Sequence, residues 1–157
     1  MTRTDASFED GREGPLNLGA LDPEDLGVLS SLAQDAVFPI TEMTWRAGER
    51  RFALLINRFR WEDAGQERHG AERVRALLVV DNVLRVASQG IDRRDPDLVL
   101  SLLSVTFEPG EEGSGHVLLT LAGDGAIRLE VEALEVTLKD VTRPYRAPSG
   151  KTPKHSD

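Results

Sequence analysis

Five consecutive residues carry the most chemistry per position in this chain: Asn57-Arg58-Phe59-Arg60-Trp61. Side chains along an extended strand alternate between its two faces. Asn57, Phe59 and Trp61 then fall on one side, and Arg58 and Arg60 on the other. Arg51 and Arg73 are expected nearby, on adjacent strands. A guanidinium beside an aromatic ring can bind an anion, stack on a base or anchor a protein partner. The competing reading makes Phe59 and Trp61 core, with Arg58 and Arg60 solvent-facing and paired to surface carboxylates. The candidate binding set is therefore Arg51, Asn57, Arg58, Arg60, Trp61 and Arg73.

No catalytic constellation stands out beside it. The chain has no cysteine, which removes thiolate nucleophiles, thiolate metal sites and disulfides. His69, His116 and His155 are scattered, without the close pairing of a zinc site. His116 is expected opposite Glu132 on an exposed sheet surface. Asp92, Asp95 and Asp97 alternate like a calcium loop but lack its turn glycine and terminal bidentate glutamate, so Asp95-Pro96-Asp97 reads as a turn entering a strand. Glu130, Glu132 and Glu135 could serve acid–base work in a pocket, but read as a solvated charged face. No serine sits in a G-x-S-x-G context, and neither glycine-rich phosphate motif occurs. The sequence thus points to no cofactor, no structural or catalytic transition metal, and a function that is more readily non-enzymatic.

The 157 residues suit one domain with a core large enough to need no staple. A net charge of −8 opposes general nucleic-acid binding. The charge is uneven, however. Residues 46–94 hold eleven arginines against seven acids, while the rest of the chain holds eight bases against twenty acids. That region could carry a local basic patch. No run of about 18 apolar residues is present, and the N-terminal residues lack the apolar stretch of a signal peptide. The chain reads as cytoplasmic, with no membrane insertion.

Residues 1–14 and 146–157 are polar and aperiodic, and are expected to be disordered tails around a single globular domain over 15–145. Asp22-Pro23-Glu24-Asp25 is a helix start: a capping carboxylate, a proline suited to the first turn, and acids at the positive end of the dipole. The apolar spacing from Leu26 to Val37, closed by Pro39, predicts one helix over 22–36. A short strand over 16–20 can precede it. Strands are expected over 40–46, 50–61, 72–80, 83–89, 98–108, 116–122 and 126–138.

Asp81-Asn82 is expected to close a two-residue hairpin, setting Val79 opposite Leu84 and Leu77 opposite Val86. Gly123-Asp124-Gly125 is expected as a three-residue loop that aligns Leu121 with Ile127, Leu119 with Leu129 and Val117 with Val131. Alternation slips at Ala133-Leu134, which predicts a bulge or bend. The fold class is α+β, mainly β: a curled antiparallel sheet or open barrel of about seven strands with one N-terminal helix.

Four stretches together resemble a known family: LDPEDLGVLSSLAQDAV, ERRFALLINRFRWE, Gly90-Ile91-Asp92 and LSLLSVTFEP. It is the family catalogued as domain of unknown function 2948, found mainly in alphaproteobacteria, and the similarity spans roughly 16–143. The resemblance implies a small bacterial cytoplasmic protein and brings no activity, cofactor or catalytic residue with it. The leading expectation is a non-enzymatic interaction or regulatory module with a protein partner. The alternative is a binder of RNA or a small anionic ligand through the Arg-rich 46–94 region.

Overall fold

The structure is a computed structural model that describes residues 14–63 and 72–146. The expected tails lie outside these residues except for Gly14 and Arg146, as do His69 and His155. The chain runs β1 (Asn17–Ala20), helix α1 (Pro23–Ala33), β2 (Ala36–Pro39), β3 (Met43–Arg46), β4 (Arg51–Phe59), β5 (Glu72–Val80), β6 (Val83–Gln89), β7 (Val99–Pro109), β8 (Gly115–Leu121), β9 (Ala126–Val131), β10 (Val136–Asp140) and β11 (Tyr145–Arg146). Single 3-10 turns cover Ile40–Glu42, Ala47–Glu49 and Trp61–Asp63.

All the pairings are antiparallel, in one sheet of order β1-β10-β5-β4-β2-β7-β8-β9-β6, with β3 on β4 and β11 on β5. The mainly β, antiparallel class with a single helix is as the sequence predicts, and the sheet does not close into a barrel. It has eleven strands among the described residues rather than about seven. The additional strands are the short β1, β2 and β11, and the strand expected over 126–138 divides into β9 and β10.

Helix α1 forms where the signals lie. Asp22 is extended (φ −141°), and its Oδ1 accepts the Asp25 backbone N–H at 2.8 Å. Leu26, Leu29, Leu32 and Ala33 form its buried stripe. It ends at Ala33, three residues earlier than expected. Gln34 is extended, Asp35 turns through a positive φ of 66°, and the Asp35 N–H donates to the Leu102 carbonyl at 2.7 Å. The chain then enters the sheet, where Ala36 pairs with Leu102 and Phe38 with Leu100. Pro39 already forces extended geometry upstream, and pairing with β7 satisfies the backbone that another helical turn would have used. Ala36, fully buried, fits the helical stripe and also alternates with buried Phe38 along a strand.

The expected hairpin at Asp81-Asn82 is absent. β5 pairs with β4 and β10, whereas β6 pairs with β9. The dipeptide instead marks a corner. Asn82 takes a positive φ of 63°, as foreseen from its type, but the chain passes from one half of the sheet to the other. β9 and β10 cross beside it: Asp81 N–H donates to Glu135 O at 3.0 Å and Glu132 N–H to Asn82 O at 3.0 Å. The bend predicted near Ala133 is this second crossing. Only one face of β5 enters the core, through Val74, Ala76, Leu78 and Val80; Leu77 and Val79 are half-buried on the other face, and Leu84 is exposed.

The β8–β9 turn has three residues, but they are Ala122, Gly123 and Asp124, since Leu121 N–H donates to Gly125 O at 2.9 Å. Leu119 faces Ile127 and Val117 faces Leu129, two positions from the expected register. An even shift leaves every side chain on its predicted face. His116 accordingly faces Glu130 rather than Glu132.

The core fills the space between the inner face of the curled sheet and α1. Leu26, Leu29, Phe38, Leu54, Ile56, Leu78, Leu102, Leu119 and Ile127 are all essentially inaccessible.

Candidate functional site

The apolar alternation of β4 runs Phe52, Leu54, Ile56 onto the core face, and the next residue in phase is Arg58. Arg58 is 0% exposed and Arg60 6%. This corrects the expectation that both point to solvent. Stranding a lone charge in a core costs several kcal/mol, so the guanidinium must be paired and fully hydrogen-bonded.

It is. Nε donates to Asp140 Oδ1 at 3.0 Å and Nη2 to Asp140 Oδ2 at 3.1 Å. Nη1 and Nη2 donate to Glu62 Oε1 and Oε2 at 2.9 and 2.7 Å. Nη1 also reaches the carbonyls of Phe59 and Leu32 at 3.3 and 3.4 Å. Burial pushes the Arg58 guanidinium down, but the hydrogen bonds and charges of Glu62 and Asp140 outweigh it and hold the group above its ordinary value. Asp140 Oδ2 additionally accepts the Leu16 N–H at 2.9 Å, which ties in the approach to β1. Arg60 donates to Glu72 Oε1 at 2.6 Å and lies 3.8 Å from Glu62.

This cluster clamps β4, β5, β10, the end of α1 and the 3-10 turn after β4. The side chains of Glu62 and Asp140 are 1% and 2% exposed, so neither presents a carboxylate to a substrate. Its chemistry is structural. Glu62, Glu72 and Asp140 were not foreseen as Arg58 and Arg60 partners. Asp140 carried a readable signal, because it continues the inward phase of Val136 and Leu138. Glu62 sits in a 3-10 turn and carried none.

The other expected residues separate. Phe59 is buried and Trp61 half-buried, with rings 4.8 Å apart edge-to-face. Trp61 lies beyond the strand, and its Nε1–H donates to Gln34 O at 2.8 Å, closing the end of α1. Asn57 and Arg73 do meet: Arg73 Nη1 donates to the Asn57 carbonyl and Oδ1 at 3.2 and 3.3 Å, and the Asn57 amide donates to Tyr145 Oη. Arg51 is at the far end of β4, donating to Asp81 at 2.9 Å. That bond and the Asp81 charge hold its guanidinium above the ordinary value.

The Arg-rich region does not make one basic surface. Arg46, Arg50, Arg51, Arg58, Arg60, Arg85 and Arg94 each have a carboxylate within 4.0 Å. Glu130 and Glu132 are among those carboxylates. Asp92 and Asp95 cap their own turn, accepting backbone N–H groups of Arg94 and Asp97 at 3.1 and 3.0 Å.

What remains open is the outer face of β3, β4, β5 and β10. Ala53 lies opposite Val79, Leu55 opposite Leu77, and Lys139 opposite Leu77 on the other side. These four apolar residues are half-buried. Ala53, Leu77, Val79 and Lys139 line a cleft of about 560 Å³, together with the paired charges Arg51–Asp81 and Arg46–Glu49. Exposed Arg75 stands next to Leu77 along β5, opposite Asn57. Among the described residues, neither Arg75 nor Lys139 has a carboxylate within 4.0 Å.

Among the described residues, no group of three or more His, Asp or Glu side chains is arranged to hold a metal ion, and no helix is long and apolar enough to cross a membrane. No curated protein and no solved structure matches the chain. The model of one protein family, described as protein of unknown function (DUF2948), matches residues 16–155, and the chain therefore belongs to that family.

Proposed function

We propose that this protein is a non-enzymatic interaction module of the cytoplasm, and that its docking surface is the outer face of β3–β4–β5–β10. The occupant we infer is an acidic segment of a partner protein with apolar side chains. The observation that carries this reading is the pairing of an aliphatic floor, Ala53, Leu55, Leu77 and Val79, with two cations, Arg75 and Lys139, that have no carboxylate among the described residues. A sheet face of this kind gains by being covered. Cations at its border select for acid and set the rate of encounter more than the affinity. The absence of cysteine suits a reducing compartment.

Binding of RNA through residues 46–94 has less support. Seven of that region's arginines are occupied by carboxylates, two of them inside the fold, and the floor of the open face is aliphatic rather than a stacking surface.

A photo-crosslinking residue at Leu55 tests the reading in cells. We expect crosslinks to an acidic, apolar protein segment, lost when Arg75→Glu and Lys139→Glu are combined. Crosslinks to RNA, or protein crosslinks indifferent to the charge reversal, would reject it.

A further inference from the structure

The sheet has an open seam. Among the described residues, β3 pairs with β4 alone and β6 with β9 alone, and no ladder joins β3 to β6. At one end the start of β6 is held to the β3–β4 connection, where Val83 N–H donates to Arg50 O at 2.9 Å. Along the rest of the seam the inner face reaches the surface. Trp45 is the register partner of buried Phe52, so it points the same way, yet it remains 37% exposed because no strand covers it. From the other side Val86 and Ser88 pair with Leu129 and Ile127 of the core. Between them lies a cavity of about 270 Å³, lined by Met43, Trp45, Phe52, Val86, Ser88, Ile127 and Arg93.

Six of these seven contribute thioether, ring, aliphatic or hydroxymethyl surface. The seventh is a cation. Arg93 is exposed and has no hydrogen-bond or ion-pair partner among the described residues. Its loop is fixed nonetheless. Gly90 enters it at a φ of +71°, so close to the β8–β9 turn that a Cβ there would stand 2.8 Å from Asp124 O. Asp92 and Asp95 then hold the next two turns. A guanidinium carried by a held loop beside an apolar pocket can reach a carboxylate head whose hydrocarbon body fills the pocket. One guanidinium suits one negative charge. A phosphate monoester would bring nearly two into apolar walls with a single hydroxyl, that of Ser88, to help. A cationic ligand would be repelled.

We propose that the β3–β6 seam pocket binds a small apolar monocarboxylate, its hydrocarbon part against Met43, Trp45, Phe52 and Val86 and its carboxylate on Arg93. The site is separate from the outer face and stands whether or not that face docks a partner.

Nuclear magnetic resonance of the isotope-labelled full-length chain tests this, with octanoate as probe, octanol as its neutral counterpart and inorganic phosphate as a competing anion. Octanoate should shift the methyl groups of Met43, Val86 and Ile127 and the indole N–H of Trp45, and should bind more tightly than octanol. Arg93→Gln should weaken octanoate about tenfold, the effect of one lost charge-assisted contact, and leave octanol unchanged. Arg93 has no partner to lose among the described residues, so the variant should keep the wild-type spectrum elsewhere. Absence of shifts at those groups, equal affinity for octanoate in the Arg93→Gln variant, or tighter binding of phosphate than of octanoate would each overturn the proposal.

Discussion

Arg58 and Asp140 lie 82 positions apart and meet inside the protein through two parallel hydrogen bonds, Nε to Oδ1 at 3.0 Å and Nη2 to Oδ2 at 3.1 Å. The fork-to-fork geometry explains why arginine stands here. Five planar donors serve Asp140, Glu62 and two carbonyls at once, which a lysine ammonium with three donors cannot do. The pair also joins elements remote in sequence: β4, β10 and, through Leu16, the start of the first strand.

Arg58→Ala should therefore destabilise the protein by about 3–5 kcal/mol, because it leaves Asp140 buried without its cation and Glu62 with only the 3.8 Å approach of Arg60. Arg58→Lys should recover only part of this. Urea denaturation of the three proteins checks it. A loss of less than about 1 kcal/mol in the alanine variant would show that the cluster is solvated.

Trp61 is anchored rather than displayed. Trp61→Phe keeps a ring against Phe59 but removes the 2.8 Å donor to Gln34 O at the end of α1. We expect a loss of about 1–2 kcal/mol, the cost of a partly buried carbonyl deprived of a partner. Trp61→Ala should lose more, since the ring packs on the core. Thermal unfolding of both variants separates the hydrogen bond from the packing.

The sequence was legible wherever one local rule acted alone. Asp22 and Pro23 began a helix because capping depends on three or four neighbours. Most strand positions followed alternation, although the strand expected over 126–138 divides into β9 and β10, and an even register shift at β8–β9 left the faces intact. Legibility failed where tertiary pairing chose between two acceptable local states. Ala36 satisfied both a helical stripe and a strand, and β7 decided. Asp81-Asn82 suited a hairpin, but its positive φ serves a corner equally well. In the candidate site, Arg58 stands among aromatic neighbours that suggest a surface, yet it is in phase with Phe52, Leu54 and Ile56. That phase was in the sequence. The approach of Glu62 was not, and neither was the seam, which depends on which strand edges remain unpaired.

Gly90 makes a backbone approach that no side chain fits. Its φ of +71° and the 2.8 Å distance from an added Cβ to Asp124 O act together. Gly90→Ala should cost about 1–3 kcal/mol, in the range of backbone strain with no rotamer to relieve it. Because the same residue leads into the Arg93 loop, hydrogen exchange in residues 90–98 should quicken more than in β4 or β5. Uniform change across the chain would argue against a local strain.

Asn82 separates corner from hairpin by experiment. Its φ of 63° suits asparagine and glycine, and its side-chain contacts to Ala133 O and Glu135, both at 3.4 Å, are long. Asn82→Gly should change stability by only a few tenths of a kcal/mol, since the backbone conformation is what the position demands. Asn82→Val places a β-branched side chain in the left-handed region and should cost about 1–3 kcal/mol. The penalty should also spread, because the Glu132 N–H donates to the Asn82 carbonyl and the Asp81 N–H to Glu135, so both chain crossings lean on this residue. Amide exchange should then quicken at Asp81 and Glu132 together, although they are on separate strand pairs. If only residues 80–84 respond, the crossings are independent and the corner does not act as one unit.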